Sequence, residues 1–337
     1  MTPDRPAGTQ SETTAHVPVM LAEAVGALAP KAGETFIDAT FGAGGYSRAL
    51  LDAAPCSVLA LDRDITAVRA ADRVTPRYPG RLTVVEAPFS GMAEVARDLL
   101  SRDGANLSPL VDGVVLDIGV SSMQIDDPAR GFSFQADGPL DMRMSADGPT
   151  AADFINSAAQ DHIADVLYAL GEERRSRAIA RAIVARRAER PFARTRELAD
   201  LVARVIGRRH DDPRHPATRT FQALRIHVND ELGELARGLA AAEALLRPGG
   251  RLVVVTFHSL EDRIVKQFLA LRSGKAGHGS RHFPDQSIKS EAASFRLVNR
   301  RPLTPSKGEL EANPRSRSAR LRAAVRTEAP VWPAGPE

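Results

Sequence analysis

Five short runs of apolar, β-prone residues constrain the fold of this 337-residue chain most strongly. The runs are residues 35–38, 57–62, 82–85, 113–117 and 251–257. Each is apolar throughout instead of alternating with polar residues, as strands buried on both faces should be. Helix-compatible segments separate the first four runs. The pattern predicts an α/β fold with a doubly wound, mostly parallel sheet.

The fourth and fifth runs are separated by more than 130 residues, far more than a single crossover needs. Apolar residues such as Ile163, Val166 and Leu167 recur there at helical spacing. We therefore expect a helical insertion that binds the substrate, and one long helix from Thr220 to Leu246. The expected organisation is a main domain of residues 16–126 and 216–326, an insertion of 127–215, and disordered ends at 1–15 and 327–337.

The small formal net charge of +3 conceals two basic segments. Residues 172–209 hold 12 Arg against 5 acidic residues, and residues 296–326 hold 9 Lys and Arg against 2 Glu. Each segment carries +7, so the rest of the chain sums to −11. Clustered arginines suit a surface that follows a nucleic-acid backbone. Solvated, Arg-rich helices are the alternative interpretation.

Several classes of protein are excluded by composition. One cysteine rules out an internal disulfide framework or a multi-cysteine metal centre. The sequence contains no run of about 18 apolar residues, so no transmembrane helix is predicted. The N-terminus also lacks the apolar stretch of a secretory signal. A cytoplasmic protein without membrane contact is expected. His278 and His282, without a cysteine or a nearby pair of acidic residues, are weak evidence for a metal site, so no metal is expected.

A glycine-rich loop follows the first strand at residues 38–47 (DATFGAGGYS). Such a loop lets the backbone approach a ligand and opens a helix whose N-terminus faces it. Asp62 ends the second strand, 20 residues after Gly42, where an acid can bind both ribose hydroxyls. Capping of the next helix is the alternative role for this strand end. The two features predict an adenosine-type ligand, either NAD or S-adenosylmethionine.

Acidic residues around the strand ends favour S-adenosylmethionine. Asp38 precedes the loop and Asp117 ends the fourth strand. These carboxylates suit a ligand with a sulfonium and an amino group better than a pyrophosphate. The turn at residues 246–250 (LRPGG) is typical of methyltransferases that use this cofactor.

Seven motifs in a fixed order carry a specific resemblance. They are residues 16–21 (HVPVML), 38–47, 116–124 (LDIGVSSMQ), 130–134 (RGFSF), 137–144 (DGPLDMRM), 257–263 (FHSLEDR) and 313–322 (NPRSRSARLR). Together they closely resemble the bacterial 16S ribosomal RNA (cytosine-N4) methyltransferase family, known as RsmH or MraW. The resemblance implies a class I, Rossmann-like methyltransferase domain. It also implies S-adenosylmethionine as cofactor and a cytidine of the small-subunit decoding centre, in the P site, as target.

The resemblance also implies which residues bind the cofactor. They are Gly44, Gly45, Tyr46, Asp62, Phe89, Asp117 and Gln124. Tyr46 stands where relatives often carry His, so a backbone role is expected there. Phe89 is expected as a wall for the adenine, with core packing as the alternative. Related DNA amino-methyltransferases place an aromatic platform after strand four, which this chain lacks; Phe132 or Phe134 is expected to replace it.

Candidates for the chemistry lie in the same motifs, and most candidates for RNA binding lie in the first basic segment. Methyl transfer to an exocyclic amine needs acceptors that orient its protons, and catalysis rests on positioning and electrostatics. Asp117 is expected to orient the amine, with Asp141 and His258 as further catalytic candidates; capping of a helix is the alternative for His258. The substrate-side candidates are Arg143, Arg174, Arg175, Arg186 and Arg187.

Two other functions remain open at the level of sequence. One is a nicotinamide-dependent oxidoreductase on the same fold, and the other is a non-catalytic protein that binds the small ribosomal subunit. The sequence also leaves open whether the chain is a monomer or a homodimer, and whether free RNA or an assembled 30S subunit is the substrate.

Overall fold

A seven-stranded sheet in the order β3-β2-β1-β4-β5-β7-β6 forms the centre of the computed structural model, which describes residues 18–100, 111–207, 215–274 and 292–332. The strands are β1 Thr35–Asp38, β2 Ser57–Asp62, β3 Leu82–Glu86, β4 Val111–Asp117, β5 Leu246–Thr256, β6 Phe295–Leu297 and β7 Arg320–Arg326. Strands β1 to β5 pair in parallel, and β7 runs antiparallel between β5 and β6. The predicted doubly wound, mostly parallel sheet is confirmed.

Helices follow the strands and fill the long gap before β5. They are α1 Leu21–Leu28, α2 Gly45–Ala53, α3 Ile65–Ala70, α4 Met92–Leu100, α5 Ser122–Asp126, α6 Ala151–Ser157, α7 Gln160–Gly171, α8 Ser176–Glu189, α9 Thr195–Ile206, α10 Thr218–Val228, α11 Glu231–Leu245, α12 Ser259–Arg272 and α13 Lys307–Ala312. Reciprocal capping boxes begin α5 at Ser121 and α6 at Thr150, where each cap side chain satisfies a backbone N–H of the first turn.

Both faces of the sheet are covered, which explains why the strand runs are apolar throughout. Val114 and Leu116 of β4 share a core with Leu239 of α11, whereas Val115 packs on the opposite face with Leu28 of α1. Successive residues of a strand point to opposite faces, so a strand between two helical layers needs apolar residues at every position.

Strands β6 and β7 were not predicted from the sequence. In β7, Arg320 and Arg322 alternate with the buried Leu321 and Ala323. This strand lies within the second basic segment, whose charge obscured the alternation. Both arginines bind Asp262 of α12, at 2.9 and 2.7 Å. Part of this segment therefore forms a strand of the sheet, and two of its arginines are held in ion pairs. It is not a continuous tail of arginines available to RNA.

The predicted helical insertion is present as helices α6 to α10 with a core of their own. Leu167, Ile179, Val202 and Leu224, one from each of α7 to α10, are each fully buried in one cluster. Helix α10 belongs to this cluster, so the packing favours an insertion that ends near residue 228. The boundary at residue 215 stays a prediction.

The expected single helix from Thr220 to Leu246 is wrong, because the chain breaks into α10 and α11 at Asn229 and Asp230. Asp230 has a left-handed backbone with φ of 47°. The buried Asn229 side chain accepts a hydrogen bond from Met144 N and donates one to Met142 O, both at 2.8 Å. These long-range bonds fix the break. Leu246 meanwhile begins β5 instead of ending a helix.

Within the described residues, no helix is both long and apolar enough to cross a membrane.

Candidate active site

A cavity of about 530 Å³ opens at the carboxyl ends of β1, β2 and β4, between the sheet and the helical insertion. Ligands of doubly wound sheets bind at this edge. Its walls include Gly45, Tyr46, Asp62, Phe89, Asp117, Gln124, Phe132, Phe134 and His258. The structure thus brings together six of the seven predicted cofactor residues. The exception is Gly44, which does not line the cavity.

The glycine loop is held by the fully buried Asp38. Its carboxylate accepts hydrogen bonds from Ser47 N and Ser47 Oγ, at 3.1 and 2.7 Å, and from Thr40 N at 3.3 Å. Burial raises the pKa of Asp38 to about 6. Gly44 caps α2 with φ of 74°, a conformation that favours glycine. Asp38 therefore shapes the loop from beneath.

Gly45 is needed for a close approach to the N-terminal segment. A Cβ at this position would lie 2.0 Å from Pro18 Cγ. Tyr46 is also tied to this segment, because its phenol O–H donates to Val19 O. The Tyr46 hydroxyl is thus engaged within the protein, which agrees with the backbone role expected for this residue.

Asp62 lies across the loop at the end of β2. Its two oxygens accept hydrogen bonds from Gly42 N and Asp64 N, both at 2.8 Å. Burial raises the pKa of Asp62 to about 6, and the nearby carboxylates of Asp64 and Asp38 add to the effect. The helix that follows is capped by Asp64, which accepts from Thr66 N. Asp62 is therefore not the cap of α3 and is available to a ligand in the cavity.

Phe89 both lines the cavity and packs on α11. Its ring approaches Gly238, where an added Cβ would lie 2.5 Å from Phe89 Cδ2. Phe89 therefore has the core packing expected as the alternative, and it also faces the cavity; its role as a wall for the adenine stays a prediction. Gly238 was not identified from sequence, because a glycine inside a helix carries no local signal for a contact with a distant ring.

Asp117 ends β4 with one carboxylate oxygen left unsatisfied by the part of the chain that the structure describes. This oxygen, Oδ1, is buried and has no hydrogen-bond partner there. Burial raises the pKa of Asp117 well above its ordinary value, and the charges of Asp38 and Glu261 raise it further. A buried, unpaired acceptor in a cavity is costly for folding and marks a position that a ligand can satisfy.

Gln124 is committed to a network of side chains rather than open to a ligand. Its Nε2 donates to Asp64 Oδ2 at 2.8 Å, and its Oε1 accepts from Ser121 N at 2.9 Å. Arg130 binds the same Asp64 oxygen at 2.6 Å and donates to Met144 O. This network joins the cofactor loop to the first loop of the insertion. Arg130 and Asp64 were missed because their partners are distant in sequence.

His258 has the capping role that the sequence offered as the alternative, and its catalytic role stays a prediction. It caps α12, where its Nδ1 accepts from Glu261 N at 3.4 Å, and it also lines the cavity. Its Nε2 lies 2.9 Å from Glu261 Oε1, although both atoms lack the alignment of a hydrogen bond. Glu231 lies close to this pair, but both of its oxygens bind Arg225 at 2.7 and 2.8 Å. Because Arg225 already offsets this negative charge, we assign the cluster no metal.

Asp141 and Arg143 are not placed at the cavity. They form a two-point ion pair, with both N–O distances at 2.8 Å, and Arg143 also donates to Ala146 O. The motif's glycine is explained by packing, since a Cβ at Gly138 would lie 1.8 Å from Pro128 O. The motif of residues 137–144 thus packs against the segment that begins at Pro128. The structure gives no support to the predicted catalytic role of Asp141 or the predicted substrate role of Arg143.

The four predicted RNA-binding arginines of the insertion differ in availability. Arg175 donates to Ile206 O, Arg186 to Arg190 O, and Arg187 to Ile155 O and Ala158 O. These bonds join helices α6, α8 and α9 or close the end of α8. Arg174 is exposed, and within the described residues it has no hydrogen-bond or ion-pair partner. His278 and His282 lie outside the described residues.

Comparison with known proteins gives one consistent result. The model of the MraW methylase family matches residues 13–327. The ribosomal RNA small subunit methyltransferase H of Nitrobacter hamburgensis is 58% identical over 316 residues, which cover 94% of this chain and 92% of that protein. The protein of the same name from Nitrobacter winogradskyi is 56% identical, over 94% and 95%. A solved putative rRNA methylase from Clostridium thermocellum aligns over 92% of this chain and 99% of its own, with 13% identity and a TM-score of 0.41.

Proposed function

The chain belongs to the MraW methylase family and is a methyltransferase that uses S-adenosylmethionine, and from this premise we propose that it methylates N4 of a cytidine in the decoding centre of 16S ribosomal RNA. The relatives' shared name, a ribosomal RNA small subunit methyltransferase, supports the substrate class. The resemblance of the seven motifs supports the atom and the site. Work on ribosomal RNA also accords with the expected cytoplasmic location, which stays a prediction.

The unpaired carboxylate of Asp117 is the observation that carries the proposal. It ends β4 in a cavity whose other walls are the glycine loop and the aromatic rings of Phe132 and Phe134. An exocyclic amine has two protons to donate, and its lone pair is delocalised into the cytosine ring. An acceptor that holds those protons helps the nitrogen become pyramidal, so that its lone pair leaves conjugation and points at the methyl group, while a ring beside it stacks the flipped base.

The cavity also fits the cofactor. Asp62 is placed to accept hydrogen bonds from ribose hydroxyls, and Phe89 offers an apolar wall for adenine. Buried acceptor oxygens at Asp117 suit cationic groups or an amine better than they suit a phosphate. When bound, S-adenosylmethionine supplies an electrophilic methyl group. The protein's own residues bind, orient and exclude water, and no described residue needs to form a covalent bond.

The two alternative functions are less consistent with these findings. A nicotinamide-dependent oxidoreductase does not accord with membership of a methylase family. A non-catalytic ribosome-binding protein would have no need to keep a buried, unsatisfied carboxylate at Asp117, because that group destabilises the folded protein.

A methylation assay tests the proposal directly. The protein is incubated with radiolabelled S-adenosylmethionine and either 30S subunits or free 16S rRNA from cells that lack the modification. The expected product after nuclease digestion is N4-methylcytidine at one position. Methylation of carbon 5, of another nucleoside, or of many positions would contradict the proposal.

Cofactor affinity is expected to fall as the pH is lowered from 7 to 5. The pKa of Asp62 is about 6 because of burial, and only the ionised carboxylate can accept from both ribose hydroxyls. Below pH 6 the Kd should rise by about tenfold per pH unit, as one-proton linkage requires. The free protein behaves oppositely: folding raises this pKa, so Asp62 adds stability as the pH falls through 6. Calorimetric titrations and thermal melts measure the two trends, and a Kd that does not change over this range would contradict the assignment.

Substitution of Gly238 by Ala should weaken cofactor binding about tenfold without unfolding the protein. The new Cβ would displace the Phe89 ring into the cavity, because the two atoms would be only 2.5 Å apart. Gly26→Ala is the matched control, since Gly26 is exposed in α1 and an added Cβ meets nothing within 4 Å. Both changes raise helix propensity by about 1 kcal/mol. Equal cofactor affinity in both variants would show that Phe89 does not form the wall.

A further inference from the structure

A second cavity of about 710 Å³ lies between the insertion and the methyltransferase domain. Tyr168 and Arg174 contribute from the insertion, and Leu260 and Arg263 contribute from the first turns of α12. Some of the residues that line it are close in sequence to residues that line the active-site cavity. Arg219 lines the second cavity next to Thr218 of the first, and Leu260 lies two residues after His258.

Tyr168 is unusually exposed for an aromatic side chain on a helix. Its side chain is 65% exposed, the highest exposure among the large apolar side chains of the described residues. The neighbouring Leu167 is fully buried, so the helix points its apolar face inward and leaves Tyr168 outward. An exposed ring costs hydration energy and packs against nothing, which suits a surface that stacks another planar group.

Three arginines line the same cavity as this ring. Arg174 has no partner within the described part of the chain, so its five N–H groups remain available. Arg219 donates to Glu172 O at 3.0 Å, and Arg263 Nη2 lies 3.7 Å from the Glu172 carboxylate. Guanidinium groups bind phosphates with two parallel hydrogen bonds, and their charge attracts a polyanion.

Glu172, at the C-terminal end of α7, contacts two of these three arginines. It adopts a left-handed backbone with φ of 50°, which is unusual for a residue with a side chain. Its carboxylate also lies 3.4 Å from Ser259 Oγ. This acid holds Arg263 only loosely, because both side chains are more than half exposed. A phosphate can therefore replace it.

We propose that this second cavity binds a nucleotide of the RNA substrate next to the target cytidine, with its base stacked on Tyr168 and its phosphate held by Arg174, Arg219 and Arg263. The inference rests on the proposed function and adds a second point of contact to it. An aromatic ring among arginines is the combination that binds single-stranded RNA without regard to base identity. A flanking nucleotide anchored there would hold the strand while the target base leaves its stack.

The test compares variants of the full-length protein with 16S rRNA and with 30S subunits as probes, in filter-binding assays at several salt concentrations. Tyr168→Ala should raise the Kd for RNA about tenfold, and Tyr168→Phe should restore most of it because the ring remains. Arg174→Ala should weaken binding and reduce the slope of log K against log salt by about one. Arg181→Ala is the matched control, since Arg181 is exposed on α8 and does not line the cavity.

The cofactor Kd separates the possible failures. It should be unchanged in all four variants, and the loss in Tyr168→Ala should appear in the KM for RNA more than in kcat. Wild-type RNA binding by Tyr168→Ala and Arg174→Ala would overturn the proposal, and so would equal losses in Arg181→Ala. If the wild-type protein binds RNA at this surface but methylates neither probe, the proposed function fails while the RNA site stands.

Discussion

Asp62→Ala should weaken the binding of S-adenosylmethionine at least about 100-fold. The variant loses two acceptors for ribose hydroxyls, and a hydrogen bond to a charged group contributes roughly 1.5–3 kcal/mol. It also frees Gly42 N and Asp64 N, which the carboxylate now holds at 2.8 Å on either side of the ligand loop. Isothermal titration calorimetry of the purified variant measures the change.

The companion variants separate ligand contact from loop order. Asp62→Asn keeps the shape and one acceptor, so its affinity should lie between those of wild type and Asp62→Ala. Asp98→Ala, at an exposed position of α4 outside the cavity, should bind normally. A Kd for Asp62→Ala within threefold of wild type would remove Asp62 from the cofactor site.

Asp117→Asn should lower turnover by about 10²- to 10⁴-fold while making the protein more stable. Turnover falls because an amide keeps one acceptor but loses the negative charge that holds the amine protons. Stability rises because the amide removes the cost of keeping a buried carboxyl ionised, or of protonating it, near Asp38 and Glu261. For a chain of this length, a rise in Tm of about 1–2 °C corresponds to ~1 kcal/mol. Single-turnover rates at saturating cofactor and thermal melts measure the two effects.

The opposite signs make this variant informative. A damaged fold lowers both quantities, whereas a functional acid lowers only the rate. Unchanged turnover would contradict the orienting role of Asp117. A fall in rate that is fully matched by a weaker cofactor Kd would instead assign Asp117 to cofactor binding.

The candidate cofactor residues could be chosen from sequence because they lie at the ends of neighbouring strands. The glycine loop follows β1, Asp62 ends β2 and Asp117 ends β4, and parallel strands place their carboxyl ends at one edge. Residues whose partners come from elsewhere were missed. Arg130 binds Asp64, which lies 66 positions away in the sequence. Gly238 packs against Phe89 from helix α11, which contains no motif.

Charge was the least reliable guide. The two basic segments predicted an RNA surface, but Arg175 and Arg187 of the first bind backbone carbonyls inside the protein. Arg322 of the second segment, in strand β7, pairs with Asp262 of α12. The exposed Tyr168 shares a cavity with Arg174, which is unpaired within the described residues, and an aromatic ring together with a cation indicates a nucleic-acid contact more specifically than charge alone does.

Local patterns and linear motifs were sufficient to predict the apolar runs of the parallel strands, the helical insertion and the family, and to name candidates for the cofactor site. The pairings of polar groups had to come from the three-dimensional fold: which arginines have a partner, that Asp141 and Arg143 bind each other, and that Asn229 lies at the break between α10 and α11. The fold also places Tyr168 in one cavity with Arg263, 95 positions away. Such outcomes depend on which partner a polar group finds across the fold, and no local pattern contains that information.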